Sequence, residues 1–233
     1  MNINRIAACV AAIFVPAGMT QLALAQDNMW IRLAGTANVG FARSEDNGKV
    51  ESCQLAFKVL AIDSSSGEKM PFDASGVISF LNAGEDGPAL GIVVVASDID
   101  PATGNMTPSA PLNANIVWDG KSTKTAFVAA PPSQRPGGYS AVFKPIPSFG
   151  MVMSGLVNNS VQLVLTRKEN GPEIPVTIDP TVTGMTGTGE RQHSDEAKKG
   201  FYACYTDLLN ATYFKNGIPP ELRLEMEKRD KGP

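Results

Sequence analysis

The 233-residue chain carries 20 basic and 23 acidic side chains and a single histidine, for a formal net charge of −3 at pH 7. That balance points away from nucleic acid, which is bound through a basic face, and the absence of any polybasic cluster points away from an anionic membrane surface. An apolar fraction of 43% is too high for a disordered chain, so the body of the sequence has the means to bury a core.

The first residues read as a secretory signal peptide. Arg5 supplies the positive n-region, and Ile6 to Ala17 is a short apolar stretch interrupted only by Pro16. Ala23-Leu24-Ala25 is the small-x-small pattern of a cleavage site, so processing is expected to leave Gln26 first. The apolar run is shorter than the roughly 20 residues that span a bilayer core. A lipobox-like Ile6-Ala7-Ala8-Cys9 leaves almost no apolar region before Cys9 and ranks below the Ala25 site. Subtracting residues 1–25 from 233 leaves 208, enough for one domain with a real core. Arg5 is the only charge removed, which takes the net charge from −3 to −4.

The mature chain opens with Met29, Ile31 and Leu33 alternating against Trp30, Arg32 and Ala34, a strand signal over residues 29–41. Asp46-Asn47-Gly48 follows as a tight hairpin turn. In the next run Cys53, Leu55, Phe57, Val59 and Ala61 share one face, with Gln54, Ala56 and Lys58 on the other, so Cys53 looks into the core. Ser64 to Gly67 is a turn. Val77 to Leu81 and Ile92 to Val95 are short continuous apolar runs that read as buried strands. Residues 98–113 are loop. Ile116 to Trp118, Asp119-Gly120 and Thr123 to Val128 read as a hairpin, residues 129–138 as a proline-rich connection, and Tyr139, Ala141 and Phe143 as a further strand.

From Phe149 the period changes. Phe149, Val152, Met153, Leu156 and Val157 fit one helical face. Val161, Leu163 and Leu165, then Asn170-Gly171, then Ile174, Val176 and Ile178 make another hairpin, followed by a Thr/Gly loop over residues 181–189. The strongest helix begins at Ser194, a good N-cap with Asp195 and Glu196 in the first turn. Ala197, Phe201, Cys204, Tyr205, Leu208 and Leu209 form its apolar stripe, which turns Cys204 inward as well. Asn216-Gly217 and Pro219-Pro220 stop it, leaving residues 218–233 as a charged, loosely helical tail.

About ten short strands and one closing helix therefore predict a mainly β fold: an antiparallel β-sandwich over residues 26–217, with a C-terminal α-helix docked by a Cys53–Cys204 disulfide. Two free thiols, or one reactive thiol, are the alternatives to that bridge.

Catalytic templates fit poorly. His193 is the only histidine, and contiguous His193-Ser194-Asp195 cannot converge as a triad. Zinc needs more His or Cys ligands than remain. Asp98-Ile99-Asp100 starts like a calcium loop, yet Thr103 stands where that loop requires glycine. Ser66-Gly67-Glu68-Lys69 matches Ser-x-x-Lys in a hairpin turn rather than on a helix. Gly120-Lys121-Ser122 resembles a P-loop ending whose earlier glycine is replaced by Asn115. No pattern calls for a cofactor or a metal. Trp30, Trp118, Tyr139 and Phe149 are either core aromatics or a ligand-facing set.

The order of elements over residues 110–210 — a strand pair around Trp118, a short helix from Phe149, a hairpin from Val161 to Val182 and a helix carrying Cys204 — resembles exported β-sandwich proteins of the invasion-associated locus B type. It is also similar to the accessory β-sandwich proteins of type VI secretion. The resemblance implies a non-catalytic periplasmic or secreted accessory role, with another envelope or secreted protein as partner. Two further classes stand beside that expectation. One is a small-molecule or glycan-binding module using the 98–113 and 129–138 loops with Trp118 or Tyr139 as stacking platforms. The other is a hydrolase using Ser/Lys or the carboxylates of Asp98 and Asp100.

Overall fold

The computed structural model describes residues 29–65, 67–83 and 88–211. The segment read as a signal peptide with its expected cleavage site, the expected helix stop at residues 216–220 and the tail at 218–233 lie outside those residues.

Two antiparallel sheets face each other. The larger begins with β1 (Gly35–Asp46), β2 (Lys49–Asp63), β3 (Met70–Asn82) and β4 (Pro88–Ile99), a meander of four long strands. β5 (Met106–Pro108) pairs with the end of β4. The chain then crosses to the smaller sheet as β6 (Asn113–Trp118) and β7 (Lys121–Ser122). A 3-10 helix (Thr123–Ala126) returns it to the larger sheet for β8 (Phe127–Ala129) and β9 (Gly138–Phe143), giving the order β1-β2-β3-β4-β9-β8. Helix α1 (Pro145–Val157) leads to β10 (Val161–Thr166) and β11 (Glu173–Ile178), which complete the order β11-β10-β6-β7. A small hairpin of β12 (Val182–Met185) and β13 (Arg191–His193) packs beside β1, and α2 (Glu196–Leu209) closes the domain.

The tight turn at Asn47-Gly48 takes the left-handed conformation at both residues, φ 50° and 74°, which suits the twist of a two-residue hairpin. The inner face of β2 is Cys53, Leu55, Phe57, Val59 and Ala61, all buried, so the alternation read in the sequence is the one the fold uses. Facing them across the sandwich are Ala114, Ile116, Val161, Leu163, Leu165, Val176 and Ile178.

Cys53 and Cys204 are bonded, with Cα atoms 5.8 Å apart. The bridge ties α2 to β2 beside an aromatic cluster. Phe80 is the register partner of Cys53 and lies 5.8 Å from Phe149 of α1, 5.8 Å from Phe201 and 4.8 Å from Tyr205 of α2, ring centre to ring centre. Both helices thus plug one end of the sandwich with the same rings.

Three expectations change. Residues 29–33 are helical, not extended. Trp30 and Leu33 are the half-buried pair, at helical spacing, while Met29 and Ile31 point to solvent at 40% and 44% exposure. A two-residue alternation of apolar side chains marks a strand only where one face meets a core. The segment bridges the two flanks of the larger sheet: the Arg191 guanidinium donates to the carbonyls of Leu33 and Ala34, and the Trp30 indole N–H donates to the Pro101 carbonyl. Second, residues 98–113 and 181–189 are not wholly loop, because β4 runs on to Ile99, β5 pairs with it, and β12 falls within the Thr/Gly stretch. Third, Thr123 to Val128 does not return along β6. The hairpin ends after Ser122, whose side-chain oxygen caps the 3-10 helix.

Candidate functional site

Three polar clusters and one surface carry the chemistry of this fold. The first cluster lies at the end of the sandwich opposite the disulfide. Val161, Leu163 and Leu165 point inward along β10, and the same alternation carries Arg167 inward just past the strand. Its side chain is only 8% exposed. Nη1 donates to Asp63 at 3.4 Å, Nη2 donates to Asp98 and, at 2.7 Å, to the Ser109 hydroxyl, and the guanidinium sits 4.6 Å above the centre of the Phe72 ring. Asp63 is itself buried. Burial alone would raise its carboxyl, but the Ser65 side chain and backbone N–H, and then Arg167, hold it below the ordinary aspartate value. One cation pairs with two carboxylates and ties the ends of β2, β4 and β10 together.

Asp98 is therefore committed to Arg167. Asp100 is used separately, accepting the backbone N–H groups of Ala102 and Thr103, which hold its carboxyl below its ordinary value. The structure does not bring the two together as a catalytic carboxylate pair. The Gly67 turn sits between β2 and β3 as expected, while Ser66 lies outside the described residues.

The second cluster joins Asp179, Thr181 and His193. The Thr181 hydroxyl donates to Asp179 at 2.7 Å and lies 2.9 Å from His193 Nδ1; Asp179 Oδ2 lies 4.0 Å from the same nitrogen. A triad needs its acid and its nucleophile on opposite ring nitrogens, so that the imidazole relays a proton between them. Here both sit at Nδ1. The group fastens the turn after β11 to β13, with Asp179 also accepting the Thr181 N–H.

The third cluster seals the free edge of β6. The Tyr139 hydroxyl reaches the Ala114 backbone N–H and lies 3.5 Å from Asn113 Oδ1, and the Thr123 hydroxyl accepts the Ile116 N–H at 3.0 Å. Burial raises the Tyr139 phenol above its ordinary value against the opposing pull of Ala114. Tyr139→Phe is expected to lower the unfolding free energy by about 1 kcal/mol, the net worth of a hydrogen bond whose donor would be left in a partly buried edge. Urea unfolding measures it, and an unchanged midpoint would show that the edge is sealed by other means.

Of the sequence-nominated aromatics, Trp118, Tyr139 and Phe149 pack against the core. Trp118 ends β6 at the helix end, whereas Asn113, which meets Tyr139, begins it, so about 17 Å of strand separates those ends. Trp30 is near Pro101. The structure does not gather Trp30, Trp118 and Tyr139 into one stacking platform.

The surface is the outer face of the larger sheet. Pairing register gives three rows across five strands: Ala42-Gln54-Ser79-Gly91-Val142, Gly40-Ala56-Val77-Val93-Ser140 and Asn38-Lys58-Ser75-Val95-Gly138. One residue in the fifteen is charged, and that one, Lys58, is paired at 3.5 Å with Asp73 on the same face. Asp73 is largely buried, and desolvation raises its carboxyl against the opposing effect of Lys58. The patch is bordered by the 29–33 segment and by β12, whose Thr183 carbonyl accepts from Asn38. Val93, at its centre, is 36% exposed. Outward positions of an exposed antiparallel sheet are ordinarily polar. Here nine of the fifteen are Val, Ala or Gly, and the others are Asn38, Gln54, Lys58, Ser75, Ser79 and Ser140.

No helix among the described residues is long and apolar enough to cross a membrane. Compared with known proteins, the chain matches no family model, no curated protein and no solved structure.

Proposed function

We propose that the protein is an exported accessory protein of the periplasm or extracellular space that acts by binding protein rather than by catalysis. The observation that carries this reading is the outer face of the larger sheet. Ile92-Val93-Val94-Val95 has the composition of a strand buried on both sides, yet on its outer side Val93 is 36% exposed and Val95 only half-buried. Contiguous apolar surface of this kind is the ordinary mark of a binding face. The buried disulfide is consistent with an oxidising compartment, which is where the signal-peptide pattern would deliver the chain. The arrangement of the three polar clusters agrees: each uses its side chains to satisfy the backbone or one another. An accessory role is also what the resemblance to exported β-sandwich proteins implies.

The test is a photo-crosslinking residue at position 93 in the full chain expressed with its own leader. One discrete adduct, lost when Val77→Asp is added, is the expected result. No adduct, or a smear that Val77→Asp leaves unchanged, counts against the reading. Mass spectrometry of the recovered chain adds an independent check: it should begin at Gln26 and be two hydrogen atoms lighter than the dithiol form.

A further inference from the structure

We propose that the β12–β13 hairpin is a latched guard over the edge of β1, fastened by Arg191, and that its release opens a strand edge to pairing with a second copy of the chain. The proposal stands apart from the outer-face reading. β1 is an outermost strand of the larger sheet, and its two halves differ. Arg43, Glu45 and Asp46 lie exposed on the later half, where charge discourages a foreign strand. The earlier half, Gly35-Thr36-Ala37-Asn38-Val39-Gly40, has no charge and no proline. A neutral edge of this kind is a template for pairing unless something covers it. β12 packs beside β1, and the Asn38 side-chain amide donates to the Thr183 carbonyl, which places the hairpin over the undefended half.

The cover is held by side chains. β12 makes ladder bonds only to β13, and a lone two-stranded hairpin is marginal in water. Its order therefore depends on docking. At its base, where Val182 pairs with His193, the hairpin is hinged to the turn after β11 through Asp179 and Thr181. Nearer its tip, where Met185 pairs with Arg191, it is latched. Arg191 Nε donates to the Thr36 carbonyl at 2.7 Å, and Nη1 to that of Gly189 at 3.3 Å. Nη2 donates to the carbonyls of Leu33 at 3.1 Å and Ala34 at 2.7 Å.

One side chain thus fastens the hairpin to the start of β1 and to the 29–33 segment. The backbone is shaped to admit it. Gly35 has φ 118°, and a Cβ there would stand 2.8 Å from Nη2. All four acceptors are neutral carbonyls on separate peptide groups, so the latch works by the forked donor geometry of arginine, which lysine does not share. A unit held this way opens at less cost than the ladder of β2, β3 and β4.

Hydrogen exchange of the oxidised chain, read by mass spectrometry, tests the latch. Residues 29–34 and 182–193 are expected to exchange together and ahead of β2, β3 and β4. Arg191→Met should speed both segments by about tenfold while the long strands keep the parent's protection. Arg191→Lys keeps the charge and should open the hairpin nearly as far. With rising concentration the Arg191→Met chain should double in mass by sedimentation, and residues 35–40 should regain protection in the associated form. A hairpin that exchanges only with the whole domain, in parent and variant alike, overturns the latch. A hairpin that opens in a chain that stays monomeric overturns the edge pairing. Should Arg191→Met not fold, Asn38→Ala removes the tie to Thr183 and leaves the guanidinium in place: faster exchange at 182–185 is then expected, and unchanged exchange counts against the guard.

Discussion

Replacing both bridged cysteines, Cys53→Ala with Cys204→Ala, is expected to lower the unfolding free energy by about 3–5 kcal/mol, one of the two largest effects of any substitution considered for this chain. The bridge closes a loop of 151 residues, and chain-entropy arguments assign a loop of that size about 5 kcal/mol of stabilisation through the unfolded state. The lower end of the range allows for residual structure in the unfolded chain. The native state also bears on the outcome. Both sulfur atoms are buried among Phe80, Phe201 and Tyr205, so two alanines leave small voids beside tightly packed rings. Urea unfolding of the double variant against the oxidised parent gives the number. The slope of free energy against urea should steepen, because the unlinked chain exposes more surface on unfolding. A loss below about 1 kcal/mol would mean that the aromatic cluster alone holds α2 in place.

What could be read in advance divides along physical lines. Cys53 and Cys204 were legible because each lies on an element with a clean period, two for β2 and 3.6 for α2, and a period assigns a side chain to the core without knowledge of the partner. The same logic would have found Arg167, whose position continues the inward alternation of Leu163 and Leu165; a cation at an inward position announces a buried ion pair. Its acceptors could not be read, since Asp63, Asp98 and Ser109 come from distant segments that meet only when the two sheets stack. Met29, Ile31 and Leu33 misled because alternation over so few residues does not show whether a core faces it. Trp30, Trp118 and Tyr139 could be named as aromatics but not placed, because their separation depends on the crossing of the chain between sheets. The outer face was partly visible, in the unbroken apolar run from Ile92 to Val95. That run reports burial on both sides but not what provides the second cover.

Arg167→Met is the second large effect, expected to cost about 3–5 kcal/mol, the range for removing one partner of a buried ion pair. Methionine can occupy the space over the Phe72 ring, so the loss is electrostatic rather than a cavity. Asp63, with a side chain 10% exposed, would keep the Ser65 hydrogen bonds but lose its counter-charge, while Asp98, at 45%, can turn to water. The pH dependence follows from the Asp63 shift. Its carboxyl sits below the ordinary value in the folded chain, so its stabilising contribution is complete above the unfolded aspartate value and is lost as the pH falls through the lower, folded one. At neutral pH the variant therefore bears an uncompensated buried carboxylate and the full penalty. As the solution is acidified that carboxylate takes up a proton more readily in the variant than in the parent, and the gap between the two should narrow. Replacing Asp63 together with Arg167, as Asp63→Leu with Arg167→Met, should recover part of the loss, since an apolar pair of similar volume leaves no charge unpaired. Unfolding curves of the parent, single variant and double variant at neutral and acid pH separate these contributions. A gap that stays constant across that range, or a double variant no better than the single, would show that Arg167 acts by packing on Phe72 alone and not by pairing the ends of the two sheets.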